Sequence, residues 1–399
     1  MSDPLRVGLV CPYSFDRYGG VQNHVLGLAR YLREQGHAPH ILAPGSPDPT
    51  LLRDLRFTSA GTAVPVPYNG SVARVNFGLG TAARVHRWLR TSPFDVLHIH
   101  EPVTPSVSLL ALWLSRSPIV ATFHTATPRS RTMAVAGGVL RGWIDKIDAG
   151  LAVSKPARQV VVDHLGRDAT VVPNGLWHAD FGRRPPVVDP PTLSSSPSSP
   201  PSSSPSSPPP PWRGGDRPRL TFLGRLDERR KGLDVLLAAL PAIAEAVPDV
   251  DVVVAGSGSR ALPPPIRPLG AISNDDKTAL LRTTDVFVAP HRERESFGLV
   301  LVEALASGAD VVASDLPAFI DLLRGDGQDL GRIVPVGDPS ALAGAVVDRL
   351  AGRTPSSQPA AAAAVAHYDW SVVGAVITDV YRGVLPREAL ELTVSRELR

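Results

Sequence analysis

The chain has 399 residues, of which 43% are hydrophobic and 20% are charged. This length exceeds that of one ordinary hydrophobic core, so it excludes a single small module and favours two globular domains. The formal net charge of +3 is not concentrated in basic clusters with aromatic neighbours, so we expect no nucleic-acid partner.

A single cysteine, Cys11, excludes a disulfide framework and favours a reducing compartment. No apolar run reaches the roughly 18 residues that a membrane-spanning helix needs. The first residues lead directly into a strand pattern and lack the charged and apolar regions of a signal peptide. We therefore expect a cytoplasmic protein.

Apolar runs alternate with helical patterns in the first half of the chain. Leu5–Val10 is a continuous apolar run, and a helical pattern follows from Val21 to about Gln35. Further strands are predicted at Val96–Ile99, Ile119–Phe123, Leu151–Val153 and Thr170–Val172. Strands that are apolar on both faces are typical of parallel sheets covered by helices.

The same alternation restarts near residue 217. The predicted strands are Leu220–Leu223, Val250–Ala255, Val286–Ala289 and Asp310–Ala313. The predicted helices are Leu233–Val247, Leu299–Ser307 and Ser340–Leu350. Two successive series of this kind predict an α/β protein with two doubly wound, Rossmann-like domains that face a cleft at the carboxyl ends of their strands.

The predicted boundaries are 1–182 for the N-terminal domain, 183–216 for a linker, 217–367 for the C-terminal domain, and 368–399 for a last helix and tail. All but two residues of Pro190–Pro211 are Pro or Ser, a composition that cannot bury enough apolar surface to fold. We interpret this segment as a linker insertion, with a ligand for proline-recognising domains as the alternative. A final helix is predicted over Trp370–Leu385 and could return to the N-terminal domain.

Cationic residues occupy the loop after the first strand of the C-terminal half. The loop, GRLDERRKG from Gly224 to Gly232, connects a strand to a helix. Backbone N–H groups at a helix N-terminus, with the side chains of Arg225 and Lys231, suit a diphosphate. A solvated basic loop is the alternative interpretation.

Two carboxylates stand eight residues apart in the segment Glu295–Gly308. This spacing is slightly more than two helical turns, so Glu295 and Glu303 are expected along one edge of the cleft. Gly298 permits a close approach of the backbone to a ligand. Carboxylates accept hydrogen bonds from sugar hydroxyls, although either glutamate alone would more simply be a surface acid.

The chain resembles the retaining GT-B glycosyltransferases of family 4 through three motifs: GRLDERRKG, ESFGLVLVE and, earlier in the chain, VVPNG at Val171–Gly175. The resemblance covers nearly the whole chain apart from the Pro/Ser-rich segment and the tail. It implies that Arg225 and Lys231 neutralise a nucleotide diphosphate. It further implies that Glu295 binds the donor sugar, that Glu303 binds the ribose, and that the donor site includes Gly20, Ser296, Phe297 and Gly298.

Stretches of the N-terminal half narrow the resemblance. Four segments resemble the corresponding segments of the actinobacterial phosphatidyl-myo-inositol mannosyltransferases: Cys11–Gln22, Val66–Arg74, Leu97–Pro102 and Ile119–Thr125. This similarity implies transfer of mannose from GDP-mannose to the inositol ring of phosphatidylinositol, the first step of phosphatidylinositol mannoside synthesis. A family 4 transferase with another acceptor or nucleotide sugar, or a non-catalytic membrane-binding relative, is the alternative.

The same resemblance assigns acceptor and catalytic roles. Val66–Arg74 is interpreted as a polar loop with one cation, and the head group is expected to be bound by Tyr13, Gln22, Tyr68, Asn69, Ser71 and Arg74. His124 is expected beside the reacting anomeric carbon, with Arg225, Lys231 and Glu295 completing the catalytic set. No carboxylate nucleophile is evident, so the resemblance implies a front-face substitution in which the leaving diphosphate helps to deprotonate the acceptor.

Neither a tightly bound cofactor nor a protein-held metal is expected. No Asp-x-Asp motif stands in a suitable place, although a divalent cation such as Mg²⁺ could accompany the diphosphate. His98 and His100 alternate onto one strand face and imitate a metal pair. Because a metal site needs a third convergent ligand, core-lining histidines are the simpler interpretation.

Thr81–Arg90 is predicted to form an amphipathic helix. Arg84, Arg87 and Arg90 share a polar arc, whereas Trp88 lies on the apolar arc. Because each basic residue contributes about 1 kcal/mol near an anionic surface, the helix predicts weak peripheral attachment to the inner face of the cell membrane. The alternative is an ordinary surface helix packed on the sheet. A monomer is expected.

The chain departs from the family pattern after Gly258. Only Ser259–Leu269 stand before the next strand, with Pro263–Pro265 among them, so the usual helix is shortened or absent and guanine recognition is less secure. Trp177 also stands where the family usually has Asp. A nicotinamide dehydrogenase is the remaining rival, but Gly256-x-Gly258 lacks the third glycine and the acidic residue about 20 positions on.

Overall fold

The computed structural model describes residues 3–16, 19–52, 54–68, 71–125, 142–182, 217–293, 295–327, 329–352, 361 and 363–386. The strands of the N-terminal half are β1 (Arg6–Val10), β2 (Ala38–Ala43), β3 (Arg56–Ser59), β4 (Val64–Tyr68), β5 (Ser71–Val75), β6 (Val96–His100), β7 (Ile119–Phe123), β8 (Ala149–Ala152) and β9 (Thr170–Val171). Seven of them form one parallel sheet in the order β3-β2-β1-β6-β7-β8-β9.

Helices cover both faces of this sheet. They are α1 (Gly20–Glu34), α2 (Pro49–Leu52), α3 (Leu79–Thr91), α4 (Val107–Leu114), α5 (Lys155–Leu165) and α6 (His178–Phe181). Val7 and Leu9 of β1 belong to the core that α1 covers, whereas Leu97 and Ile99 of β6 belong to the core beneath α3 and α4. Burial on both faces explains why these strands are continuous apolar runs.

The segment that contains Tyr68 and Arg74 was expected to be a polar loop, and this expectation is wrong. β4 and β5 pair antiparallel as a separate two-stranded ribbon, with Val64 opposite Val75 and Tyr68 opposite Ser71. Prolines alternate in β4, which is tolerated in a ribbon because each strand has an unpaired edge. The ribbon is tied to the sheet by the backbone of Ser14, whose N–H donates to the Arg74 carbonyl at 2.8 Å.

The predicted amphipathic helix is present as α3, but its apolar arc packs inside the protein. Val85 and Trp88 are buried in the core, and the Trp88 indole N–H donates to His40 Nε2 at 3.1 Å. A Cβ on Gly8 of β1 would lie 2.9 Å from the Trp88 ring, so the strand and the helix are in close contact. The apolar arc thus packs on the sheet, as the alternative interpretation had it, and attachment through the arginines of the polar arc stays a prediction.

The C-terminal half contains a second parallel sheet. Its strands are β10 (Arg219–Leu223), β11 (Asp251–Ala255), β12 (Arg267–Gly270), β13 (Val286–Ala289), β14 (Asp310–Ser314) and β15 (Arg332–Val334), in the order β12-β11-β10-β13-β14-β15. Its helices are α7 (Leu233–Ala246), α8 (Asn274–Leu281), α9 (Leu299–Ala306), α10 (Pro317–Arg324) and α11 (Pro339–Leu350). Short 3₁₀ segments lie at Arg229–Lys231, Gly325–Gly327 and Val365–Tyr368.

The predicted α/β class with two doubly wound sheets is confirmed. Each strand predicted from an apolar run is present, with ends that shift by one or two residues. The segment 256–270 is fully described and contains no helix, as the shortened connection indicated. The whole predicted linker, residues 183–216 with Pro190–Pro211, lies outside the described residues, and the four domain boundaries remain predictions. Among the described residues, no helix has the length and apolar character needed to cross a membrane.

The last helix, α12 (Trp370–Val384), leaves the C-terminal half and packs against the N-terminal sheet. Trp370 is buried, and its ring covers two glycines: a Cβ on Gly27 or on Gly175 would lie 2.4–2.5 Å from ring atoms. Tyr381 is also buried, and its hydroxyl lies 2.6 Å from Nδ1 of His98. The helix therefore contributes core residues to the N-terminal half.

We expect Trp370→Ala to lower the free energy of unfolding by about 3–5 kcal/mol. The substitution leaves a cavity of the size of the indole ring, and the backbones at Gly27 and Gly175 cannot move together to fill it. Urea unfolding followed by circular dichroism measures the loss. Val376→Ala is the matched control, since Val376 lies on the exposed side of the same helix and should change stability by less than about 0.5 kcal/mol. Equal effects of the two substitutions would contradict this packing.

Candidate functional site

Three loops meet at the carboxyl edge of the C-terminal sheet. They follow β10, β11 and β13, and their backbones touch. A Cβ on Gly256 would lie 1.7 Å from the Gly224 carbonyl oxygen, and a Cβ on Gly232 would lie 1.6 Å from the Pro290 carbonyl oxygen. Both glycines have positive φ, of 148° and 69°. Glycine is therefore required at these two contacts, which bring the cationic loop against the loop that carries Glu295.

Glu295 lies at the junction of these loops. Its Oε2 is 3.0 Å from Nζ of Lys231, 3.0 Å from Nδ1 of His291 and 4.0 Å from a guanidinium nitrogen of Arg230. Burial opposes ionisation, but the charge of Lys231 and the contact with His291 outweigh it and hold the pKa of Glu295 well below its usual value. The carboxylate is therefore ionised, and the structure brings together the predicted pair Lys231 and Glu295.

A second ion-pair cluster stands beside the first. Arg225, half-exposed, donates to Oε1 of Glu228 at 2.6 Å, and Arg230 lies 2.8 Å from the other carboxylate oxygen. Asp227 accepts from the backbone N–H of Ser259 at 3.0 Å and so links the cationic loop to the loop after β11. The site therefore carries cations whose charge is partly compensated by protein carboxylates.

Glu303 is buried in α9, so the interpretation of this glutamate as a surface acid is wrong. Its carboxylate pairs with Lys277 of α8 at 2.5 Å. Lys277 was not selected from the sequence, because nothing in its neighbourhood shows that α8 would lie against α9. The pair extends the line of charged groups from Glu295 along one side of the loop edge.

The residues between the glutamates connect the two halves of the protein. Ser296 presents its carbonyl to the hydroxyl of Ser154, which caps α5 of the N-terminal half, at 2.5 Å. Phe297 is buried and packs edge to face on Tyr368 with ring centroids 5.5 Å apart. Gly298 has φ of 96° and begins α9, a conformation that glycine adopts without strain.

On the N-terminal side, Glu101 and His124 follow adjacent strands. The Glu101 carboxylate accepts from the backbone N–H of His124 at 2.7 Å and from the hydroxyl of Thr125 at 2.9 Å. Glu101 is buried with φ of 51°, the only positive φ recorded for a non-glycine residue in the described part of the chain. Such strain is typical of functional sites, so Glu101 joins the candidate residues. The positive φ could not be read from the sequence.

His124 belongs to a group of buried histidines. Its Nε2 lies 3.0 Å from Nδ1 of His100, and His24 of α1 packs edge-on against both rings. Burial lowers the pKa of His124 well below its usual value, so the ring is neutral. His98 is stacked on His100 and is held by Tyr381 and by the hydroxyl of Thr122, as expected of a core-lining histidine.

The predicted acceptor residues cluster only in part. The side-chain amide of Gln22 donates to the Ser14 carbonyl at 3.0 Å, while Tyr13 adjoins Ser14 in sequence. Arg74 is brought to the same loop through its carbonyl, and its charge contributes to lowering the pKa of Asp16, after the larger effects of hydrogen bonds from Ser46 and Ser14. Asn69 and the side chains of Tyr68 and Ser71 lie outside the described residues. Gly20 begins α1, and the space where its Cβ would stand is open.

The membrane residues are arranged differently from the expectation. Arg84, Arg87 and Arg90 are exposed on α3, away from the buried arc of the helix. Exposed apolar side chains stand instead near the start of the helix, where Phe77 is 55% and Leu79 is 91% exposed. Neither was selected from the sequence, since each interrupts a polar stretch as a single residue.

Comparison with known proteins adds to this geometry. The family model Glycosyltransferase Family 4 matches residues 18–177, and Glycosyl transferases group 1 matches residues 217–351. The phosphatidyl-myo-inositol mannosyltransferase of Propionibacterium freudenreichii subsp. shermanii is 44% identical over 382 residues, which cover 94% of each chain. That of Mycolicibacterium smegmatis is 45% identical over 392 residues, which cover 95% of this chain and 94% of the relative.

A solved structure supports the fold. The crystal structure of a glycosyltransferase from Rickettsia africae matches with a TM-score of 0.70 at 18% identity and covers 96% of this chain and 99% of that one. At this identity the match concerns the arrangement of the two sheets and their helices alone.

Proposed function

The chain belongs to the family of the phosphatidyl-myo-inositol mannosyltransferases and is a glycosyltransferase, and from this premise we propose that it transfers mannose to the inositol ring of phosphatidylinositol. We propose GDP-mannose as the donor and retention of anomeric configuration as the outcome. The reaction would be the first step of phosphatidylinositol mannoside synthesis. The observation that carries the proposal is 44–45% identity to relatives of that name over 94–95% of this chain, joined to a partly buried, ionised Glu295 that pairs with Lys231.

The donor half of the reaction follows from the charges. A diphosphate is an anion that competes with Glu295 and Glu228 for their cationic partners, so Lys231 and Arg225 turn to the phosphate oxygens when the donor binds. This contact neutralises the charge that develops on the leaving diphosphate. Once Lys231 has turned, the Glu295 carboxylate accepts hydrogen bonds from sugar hydroxyls. The Glu303 carboxylate, which pairs with Lys277, is proposed from the family resemblance to accept hydrogen bonds from the ribose.

The acceptor half supports a front-face substitution. The carboxylate next to His124 is that of Glu101, and its Oε1 already accepts two hydrogen bonds, from a backbone N–H and a hydroxyl. These contacts give the carboxylate a positioning role. We infer from the family resemblance that the leaving diphosphate assists deprotonation of the inositol hydroxyl. Glu101 positions the backbone at His124, which lies beside the reacting centre.

The head group fits the loop after β1. Arg74 supplies a positive charge for the phosphodiester, and Tyr13 and Gln22 offer polar groups for ring hydroxyls. The ribbon that carries Arg74 is fixed to this loop by the Ser14 to Arg74 backbone hydrogen bond. Tyr68, Asn69 and Ser71 are proposed as further ligands from the family resemblance.

The acceptor is a membrane lipid, so the cleft edge must reach a bilayer. We propose that Val64 and Val66 of β4, with Phe77 and Leu79, enter the lipid interface, since all four are exposed apolar side chains. The arginines of α3 then contact anionic head groups with their exposed arc. From the family resemblance we propose that this attachment is peripheral and on the cytoplasmic face of the membrane.

Purified protein is expected to transfer mannose from GDP-mannose to phosphatidylinositol in vesicles, measured with a panel of nucleotide sugars and radiolabelled product. Glu295→Gln should lower kcat/KM by about 10²-fold or more, because it removes a charged acceptor of the sugar hydroxyls. Glu245→Gln, an exposed acid on α7, is the matched control and should retain activity. Transfer only to a non-lipid acceptor, or full activity of Glu295→Gln, would refute the proposal.

The double substitution Phe77→Ser and Leu79→Ser should reduce sedimentation with vesicles at every ionic strength, because it removes apolar contacts. Arg87→Ser with Arg90→Ser should reduce it only with anionic vesicles at low salt. Ile320→Ser, an exposed apolar side chain on α10, serves as the control and should bind normally. If the control loses binding as strongly as the double variant, this edge is not the attachment site.

A further inference from the structure

Three histidines from three different elements converge beneath the cleft. His24 lies on α1, His100 ends β6, and His124 follows β7; these three form the histidine triad. All three are buried, and each offers a ligand nitrogen within 4.8 Å of the others. His98 was the partner that the strand pattern placed with His100, but His98 stacks on that ring instead of converging with it.

The spacing of the rings matches that of a three-histidine metal site. The centroids are 5.4 Å apart for His24 and His100, 5.1 Å for His24 and His124, and 5.3 Å for His100 and His124. A tetrahedral zinc ion bound at about 2.1 Å by three imidazoles holds the ring centres about 5.2 Å apart and the ligand nitrogens about 3.4 Å apart. Small side-chain rotations therefore suffice to close the triad on an ion.

The lone pairs of the triad are available. Burial lowers the pKa of His24 to about 3 and the pKa of His100 and His124 well below their usual values, so the rings are neutral. Both ring nitrogens of His24 are buried without a hydrogen-bond partner. Buried polar atoms without a partner are costly, so a ligand that satisfies them is favoured.

The surroundings supply the support that metal ligands need. The carboxamide of Asn174 interacts with His24, and its own Oδ1 is a buried acceptor without a hydrogen bond, suited to take an N–H from the far side of the His24 ring. Trp370 packs against His24 with ring centroids 5.1 Å apart and limits its movement. Glu101 fixes the backbone at His124.

We propose that the histidine triad binds a transition-metal cation of zinc type, with three neutral imidazole ligands and a fourth position directed to the cleft beside His124. In the metal-free protein one of the two rings donates the hydrogen bond between His100 Nδ1 and His124 Nε2 across 3.0 Å. When the ion binds, that ring moves its proton to its other nitrogen, so both rings stay neutral and both facing nitrogens coordinate. This site goes beyond the proposed transferase activity, and metal binding at the triad does not depend on that activity.

The test is equilibrium binding of Zn²⁺ alone to chelator-treated full-length protein, by calorimetry and competition with a chromophoric chelator. One equivalent should bind, and Co²⁺ in its place should give the intense visible absorption of a four-coordinate ion. His24→Gln should weaken binding by at least about ten-fold. His86→Ala, an exposed histidine on α3, should bind as the unchanged protein does.

Near-UV circular dichroism and thermal unfolding establish whether each variant is folded. Weaker zinc binding caused by unfolding is thereby distinguished from weaker binding caused by removal of a metal ligand. His124→Gln provides a second ligand variant if His24→Gln does not fold. Absence of saturable binding by the folded protein, or equal affinity of the triad variants and His86→Ala, would overturn the proposal. Neither outcome bears on the transferase, because binding is measured without substrates.

Discussion

The largely enclosed carboxylate of Glu295, with 18% of its side chain exposed, must stay ionised, and the organisation of the C-terminal half depends on this requirement. A charge that is mostly removed from water needs a partner, so Lys231 has to lie beside it. That contact exists because Gly232 and Gly256 let three loops touch through their backbones. Burial lowers the pKa of the neighbouring His291 to about 4, which keeps its ring neutral beside two cations. The pair that stabilises the loops is also the pair that we propose a donor diphosphate separates.

The N-terminal half is organised around the packing of α12. Trp370 of this helix covers two glycines of the N-terminal core and contacts His24, and Tyr381 holds His98. The helix thereby joins the end of the chain to the layer of histidines beneath the cleft. Contacts from Ser154 to Ser296 and from Lys155 to Asp321 join the two halves at the cleft. The N-terminal and C-terminal halves are thus held by separate sets of interactions that meet at one edge.

Much of this arrangement could be predicted from sequence because it depends on local pattern. Strands such as Val286–Ala289 are apolar on both faces, which predicts them directly. The motif GRLDERRKG predicts both a loop, from its glycines, and the positive charge that the loop carries. Edge strands such as Arg267–Gly270 are short and half polar, so they lack that pattern. Contacts between residues distant in sequence could not be predicted from the sequence. Lys277 pairs with Glu303, and the ring of His24 packs on that of His124, only because of how the helices pack in the fold. The direction of the α3 apolar arc was likewise decided by the Trp88 contacts.

The most direct measurement of the central claim is calorimetric titration with GDP and with GDP-mannose. If Lys231 is shared between Glu295 and the diphosphate, Lys231→Ala weakens GDP binding by roughly 10- to 100-fold, the value of a charge-assisted hydrogen bond. Glu295→Gln should then leave GDP binding undiminished and abolish only the extra affinity that the mannose provides. The account would be contradicted if Lys231→Ala bound GDP with the affinity of the unchanged protein. It would also be contradicted if Glu295→Gln lost affinity for GDP and for GDP-mannose by the same factor.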